Sequence, residues 1–175
     1  VINTFDRVEL SKGGWYGNPF TLGVNISAKY KGFTLFVLGT GGFGGHAMKN
    51  NSYWWSGASD KKYSAAVRDR AIVKDGVLTN AATAKYPALT SNSGSNNFQT
   101  SDFWTYSTNQ FNLAKVQLTY DFNSDLFDGK VVKGLSVYAS GSDLLKISKN
   151  REILEMNVGS APQARFYNLG VKVQF

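Results

Sequence analysis

The 175-residue sequence contains no cysteine, three prolines and a single histidine. Without cysteine there is neither a disulfide framework nor a thiolate metal site. With His46 as the lone histidine, a two-histidine metal site is excluded, and so is nearly every Ser-His arrangement within the chain. No apolar run approaches the roughly 18 residues of a membrane-spanning helix, so a helical membrane protein is excluded. A β-barrel is not, because its strands show the bilayer only every second residue. Concentrated charge is also missing. There are 19 Lys+Arg against 12 Asp+Glu, a formal net charge of +7, but the longest basic run is Lys61-Lys62. A nucleic-acid footprint would be a stripe or cluster of cations, so nucleic acid is not an expected partner.

What is present favours strands and turns: 18 Gly, 12 Phe, 9 Tyr and 4 Trp. Phe20, Leu22, Val24, Ile26, Ala28 and Tyr30 alternate with polar residues, which predicts a strand over 20–30. Lys31-Gly32 reads as a two-residue turn into a return strand over 33–42. Its alternation is poorer, because Phe36 and Leu38 lie opposite Phe33, Leu35 and Val37. A third strand is expected over 111–122, with Ala114, Val116, Leu118, Tyr120 and Phe122 on its apolar side and Lys115, Gln117 and Asp121 on the other. A fourth is expected over 133–144, with Leu135, Val137 and Ala139 facing one way and Ser136, Tyr138, Ser140 and Ser142 the other. The last, over 165–175, sets Tyr167, Leu169, Val171, Val173 and Phe175 against Asn168, Gly170, Lys172 and Gln174.

The connections alternate short (31–32), long (43–110), short (123–132) and long (145–164). Transmembrane barrels keep short turns on the periplasmic side and long loops outside, so this order assigns a side to each strand end. The long loops are then extracellular, and Lys115, Gln117, Asp121 and Lys172 face the lumen. Nothing like a signal peptide precedes Ile2–Asp6, so the expectation is a removed signal or the tail of a longer chain.

Residues 1–19 read as loop, with Trp15 and Tyr16 between glycines. The loop 43–110 holds an aromatic cluster, Tyr53-Trp54-Trp55, a helical candidate from Asp60 to Val73, and Trp104 in a polar, turn-forming stretch. Tyr53, Trp54, Trp55 and Trp104 are the best contacts for a substrate or a partner, since flat aromatic rings stack on sugars and peptide side chains at small entropic cost. A loop of this length also needs a small core of its own, and the same residues would supply it. Arg68, Asp69 and Arg70 suit structural pairing, across the helical turn or to neighbouring loops, better than substrate binding. GTGGFGG at 39–45 follows a strand but is not followed by GK[ST], so it reads as a flexible strand exit rather than a phosphate loop. Asp121, Asp125 and Asp128 border a turn and suit Asx-type turn chemistry better than metal binding. No catalytic, cofactor or metal site is expected.

The phrases FTLGVNISAKYKGFTLFVLGTGG, KKYSAAVRDR, FNLAKVQLTYDF, GLSVYASGSDLLKISKNREI and SAPQARFYNLGVKVQF resemble, in order, pieces of the C-terminal barrel region of SusC/RagA-type TonB-dependent transporters of Bacteroidota. The resemblance implies an all-β fold: about five C-terminal strands of a plugged outer-membrane barrel of about 22 strands. It implies nutrient import rather than enzymatic chemistry, with a SusD-like surface lipoprotein as lid and glycans or peptides as cargo. TonB would engage through an N-terminal part, and the rest of the barrel and its plug would be further partners, with outer-membrane lipid around them. It also places the barrel-assembly signal on Tyr167, Leu169, Val171, Val173 and Phe175. The sequence departs from the family in lacking the plug, the TonB-box segment and most of the barrel. Five antiparallel strands cannot close, and an open edge in lipid leaves backbone groups unsatisfied at several kcal/mol each. The residues by themselves also fit a soluble or secreted β-sandwich or barrel acting as a carbohydrate-binding module. The two readings differ in where the apolar faces point: lipid in the first, a packed interior in the second.

Overall fold

Alternating apolar and polar side chains, many β-branched or aromatic, pleat the chain into strand β1, Phe20–Tyr30. Lys31 and Gly32 both take positive φ, 45° and 84°, the backbone that matches the twist of a tight hairpin, and β2 returns over Phe33–Phe43. At Gly32 a Cβ would come within 2.9 Å of the Asp121 carbonyl oxygen, so this position excludes a side chain. The computed structural model describes residues 17–55, 65–88, 97–128 and 131–175. The expected loop over 1–16, with Trp15 and Tyr16, lies outside them.

The remaining elements are β3 (His46–Met48), a 3₁₀ turn (Ala65–Asp69), β4 (Val73–Lys74), β5 (Val77–Leu78), a 3₁₀ turn (Asp102–Trp104) and β6 (Thr105–Ser107). After these come β7 (Gln110–Asp121), a 3₁₀ turn (Ser124–Phe127), β8 (Gly134–Ile147), helix α1 (Arg151–Met156) and β9 (Phe166–Gln174). Two units result: one holds, among the described residues, His46–Tyr106, and the other holds 17–45 and Ser107–Phe175.

The second unit is an antiparallel sheet in the order β1-β2-β7-β8-β9, so each strand lies beside its neighbour in the sheet's own sequence. Residues directly paired in such a ladder share a face. The register puts Tyr30, Phe33, Tyr120 and Val137 with Val171 on one face, and Ile26, Val37, Val116, Gly141 and Tyr167 with them. Every position on this face, on all five strands, is aliphatic, aromatic or glycine. The opposite face carries Lys29, Thr34, Thr119, Asp121, Ser136 and Lys172, and in the same sheet Asn25, Gln117, Ser140 and Asn168. Phe36 and Leu38 lie on this polar face and are half-buried.

A β-bulge keeps the faces in phase. Leu38 pairs with Lys115 but Gly39 pairs with Leu113, so Ala114 is an extra residue in β7. Beyond it Leu113 and Phe111 continue the apolar face, where unbroken alternation would have put them on the polar one. At the same level β8 carries Asp143 and Leu144 between Ser142, paired with Lys115, and Leu145, paired with Leu113. Asp143 takes φ 54° there, and the strand runs on to Ile147, three residues past the expected end.

The second long connection is not wholly irregular. Asn150 precedes α1, Arg151 pairs with Glu155 across one turn at 3.0 Å, and Asn157 ends the helix in the left-handed region at φ 45°. Arg165 donates to the Leu144 carbonyl at 3.1 Å and to Glu155 at 3.3 Å, tying α1 to the start of β9.

In the first unit the helical candidate 60–73 is replaced. Residues 60–64 lie outside the described ones, Ala65–Asp69 form a 3₁₀ turn, and Val73 already belongs to β4. Asp75 and Gly76, both at positive φ, close the β4–β5 hairpin. Asn80 fixes its base, accepting from the Ile72 amide at 2.7 Å and donating to the Arg70 carbonyl at 2.8 Å.

Candidate functional site

Two surfaces deserve the description of a site, one on each unit. The first is the aromatic cluster of residues 46–106. An Asx turn at Asn51 builds one side: its side chain accepts from the Tyr53 amide, and its carbonyl accepts from the Trp54 and Trp55 amides at 3.0 and 2.9 Å. The 3₁₀ turn Asp102–Trp104 sends successive rings opposite ways, leaving Phe103 55% exposed and Trp104 1% exposed. Tyr86 completes the cluster, its backbone held to Asp69 and Ala71 at 3.1 and 2.7 Å.

Around Trp104 stand Tyr86, stacked at 6.1 Å and 15°, Trp55 at 6.0 Å edge-on, and Phe98 at 6.1 Å. The Trp104 indole N–H donates to the Asn97 carbonyl at 3.0 Å. Tyr53 meets Trp54 edge-on at 4.8 Å, and Trp54 faces Tyr86 at 5.7 Å. All four aromatics singled out by sequence therefore meet in one cluster, but in different positions. Trp104 is its buried centre and is covered by its own unit, so its place is the small core of the loop. Tyr53, Trp54 and Trp55 are half-buried at its margin.

Sequence reasoning missed Tyr86, Phe98 and Lys49. Lys49 follows β3, and its amide donates to the Trp104 carbonyl at 2.8 Å. Its ammonium lies over the Trp54 ring at 5.0 Å and the Tyr86 ring at 5.5 Å. Burial lowers the Lys49 pKa below the ordinary lysine value. The Tyr86 phenol is raised, first by burial and then by the charge of Asp69. Nothing local in the sequence pairs Lys49 with a ring 37 positions away. Asp69 pairs with Lys85 of a neighbouring segment at 3.1 Å, and Arg70 donates to the Val67 carbonyl within its own turn, both structural contacts. His46 Nδ1 and Trp55 Nε1 are buried without a hydrogen-bond partner. Among the described residues no group of three or more metal-ligating side chains occurs.

The second surface is the sheet. Lys115, Gln117, Asp121 and Lys172 share its polar face. There Ser136 donates to Asp121 at 2.7 Å, Lys29 approaches the same carboxylate at 3.8 Å, and Gln117 donates to Thr119 at 3.1 Å. Lys146, 9% exposed, donates to Gln110 at 3.0 Å on this face. On the other face lie Tyr167, Leu169, Val171 and Val173, with Leu169 87% exposed, and Phe175 follows β9 at 74%. This face ends in aromatics both ways. Tyr30, Phe33, Tyr120 and Phe122 gather at the hairpin end, with ring distances of 4.6 Å for Phe33–Tyr120 and 5.0 Å for Tyr120–Phe122. Phe20, Phe43, Phe111 and Tyr167 stand at the other end. Ten residues of strand separate Tyr30 from Phe20, about 33 Å of strand. At a tilt of about 40° that is an apolar band of about 25 Å.

No family model matches the sequence, and no curated protein does. Among solved structures the fold is similar to a chain of the RagAB peptide importer in its closed-closed state, with a TM-score of 0.65 and 22% identity over 89% of this chain. The same importer in its open-open state gives 0.61 and 21% over 89%, and a RagAB peptide transporter structure gives 0.56 and 21% over 78%. This chain spans 17% of the length of the first two and 14% of the third. At this identity the likeness is one of fold: an all-β antiparallel sheet that matches part of a larger barrel chain.

Proposed function

We propose that the chain forms part of the wall and outer loops of a SusC/RagA-type, TonB-dependent outer-membrane importer. In this reading the five sheet strands are the closing strands of the barrel, and residues 43–110 and 145–164 are extracellular. Glycans or peptides are imported together with a SusD-like lipoprotein, and the protein makes and breaks no covalent bonds. The observation that carries the reading is the uncovered apolar face. A soluble sandwich would close that face against a second sheet. Here Trp104, in the other unit, is the one buried hydrophobic side chain among the described residues, while Leu22, Ile26, Leu118, Leu169 and Val171 stand 46–87% exposed.

Hydrocarbon supplies the missing contact. Each side chain on this face gains from lipid what a core residue gains from neighbours, and the strand positions of the face carry no charged or amide group to resist it. The polar face, with Asp121, Ser136, Lys29 and Lys172, suits a hydrated lumen or a plug. The outer edges of β1 and β9 call for neighbouring strands, since unpaired backbone is not tolerated in lipid. The fold likeness to the RagAB peptide importer supports import as the activity.

Topology tests the reading. With a membrane-impermeant maleimide, an Ala82→Cys variant is expected to label on intact cells and an Asp128→Cys variant only after permeabilisation. Equal labelling of both on intact cells, or a native protein that stays in solution without detergent, overturns it.

A further inference from the structure

The Lys49 ammonium has two aromatic walls and, among the described residues, no counter-ion. Trp54 and Tyr86, tilted 38° to each other, stand 5.0 and 5.5 Å from Nζ. Among the described residues no carboxylate pairs with it, and Asp69, the acidic group beside Tyr86, is taken by Lys85 at 3.1 Å. Burial lowers the pKa of Lys49 below the ordinary lysine value.

We infer that Lys49, Trp54 and Tyr86 form a notch that binds a carboxylate. Ring faces attract the ammonium and satisfy the sides they cover, but they accept weakly, so at least one strong N–H donor remains for an anion. The half-buried setting strengthens that bond over one made in bulk water. A single cation neutralises a single negative charge, which fits a carboxylate better than a phosphate dianion. The Lys49 amide, bonded to Trp104, holds the stem in place and reduces the entropy lost on binding. Apolar groups next to the carboxylate would lie along Trp54. The inference rests on the proposed import function only for the source of the ligand: a peptide C-terminus or an acidic sugar.

The test is a calorimetric titration of the intact protein in detergent with Ala-Ala-Phe, its C-terminal amide, glucuronate and its methyl ester. At least one acid is expected to bind about tenfold or more tightly than its neutral partner, as a charge-assisted bond implies. Preference for the peptide acid identifies a peptide source, and preference for the sugar acid a glycan source. Lys49→Met should abolish the preference and Lys49→Arg keep it. Should Lys49→Met fail to fold, the wild-type preference must still disappear as pH rises through the lowered Lys49 pKa. Equal binding of acid and neutral forms in both pairs overturns the inference, as does a preference that survives Lys49→Met. Tighter binding of inorganic phosphate than of either acid also overturns it. Whether the protein needs detergent is read separately at purification, so failure of the importer reading is distinguishable from failure of the notch.

Discussion

Tyr138 lies flat over Gly170, its direct partner across the β8–β9 ladder, so closely that a Cβ at Gly170 would fall within 2.5 Å of Tyr138 Cε1. The glycine, in the middle of an otherwise side-chain-rich strand, makes room for the ring. Aromatic cover of a strand glycine helps pin register. A slip of two residues would set Tyr138 against Asn168 or Lys172.

Gly170→Ala should therefore lower stability by about 1–3 kcal/mol through overpacking. The double variant Tyr138→Ala, Gly170→Ala should recover part of that loss. Urea unfolding in detergent, followed by the shift in gel mobility on heating, measures both. Simple additivity of the two substitutions would mean that ring and glycine do not interact.

The two faces of the sheet should respond oppositely to charge. Val37→Arg, mid-strand on the apolar face, is expected to cost about 2–4 kcal/mol in a bilayer. Ser27→Arg, on the polar face, should cost less than about 1 kcal/mol. Unfolding from lipid vesicles gives the comparison, and similar costs at the two positions would argue against lipid on the Val37 side.

In the 46–106 unit the two adjacent aromatics should separate. Trp104→Ala empties the buried centre and should cost about 3–5 kcal/mol. Phe103→Ala removes an exposed ring with one edge-on contact, worth about 0.5–1.5 kcal/mol. Limited proteolysis of the unit, with near-ultraviolet circular dichroism, reports the difference.

Alkaline pH should loosen the same unit. The Tyr86 and Tyr106 phenols are raised above the ordinary value of 10.0, chiefly by burial. Unfolded chains therefore ionise first, and the stability these phenols contribute is full below pH 10.0 and is lost as pH rises through their higher folded values. Tyr86→Phe keeps the ring against Trp104 and should flatten part of that decline in pH-dependent unfolding.

The sheet was legible in the sequence because its rule is local: one face wet, one face apolar, period two. Phe20–Tyr30 follows from that rule alone, and its hairpin partner, with Phe36 and Leu38 on the polar face, from the Lys31-Gly32 turn as well. It failed at Ala114, where counting by twos put Phe111 and Leu113 on the wrong side, since a bulge is set by the neighbouring strand's length. For the same reason the fourth strand read as ending at Leu144, when it turns through Asp143 and continues. The aromatic cluster was legible only as an inventory. Which ring is core and which is margin depends on contacts between residues 49, 54, 86 and 104, whose spacing follows no period. Lys49 offered no signal at all.

The extra residue at Ala114 lets one strand of the sheet change phase while its neighbours do not. Phe33–Phe43 pairs with Phe20–Tyr30 without a break, and Leu145 and Ile147 keep the odd-numbered count of Leu135 and Val137, so only Gln110–Leu113 of β7 changes count. Removing Ala114 alone would turn Phe111 and Leu113 to the polar face and Asn112 and Gln110 to the apolar one. One inserted residue in a single strand therefore decides which side of the sheet those four side chains serve.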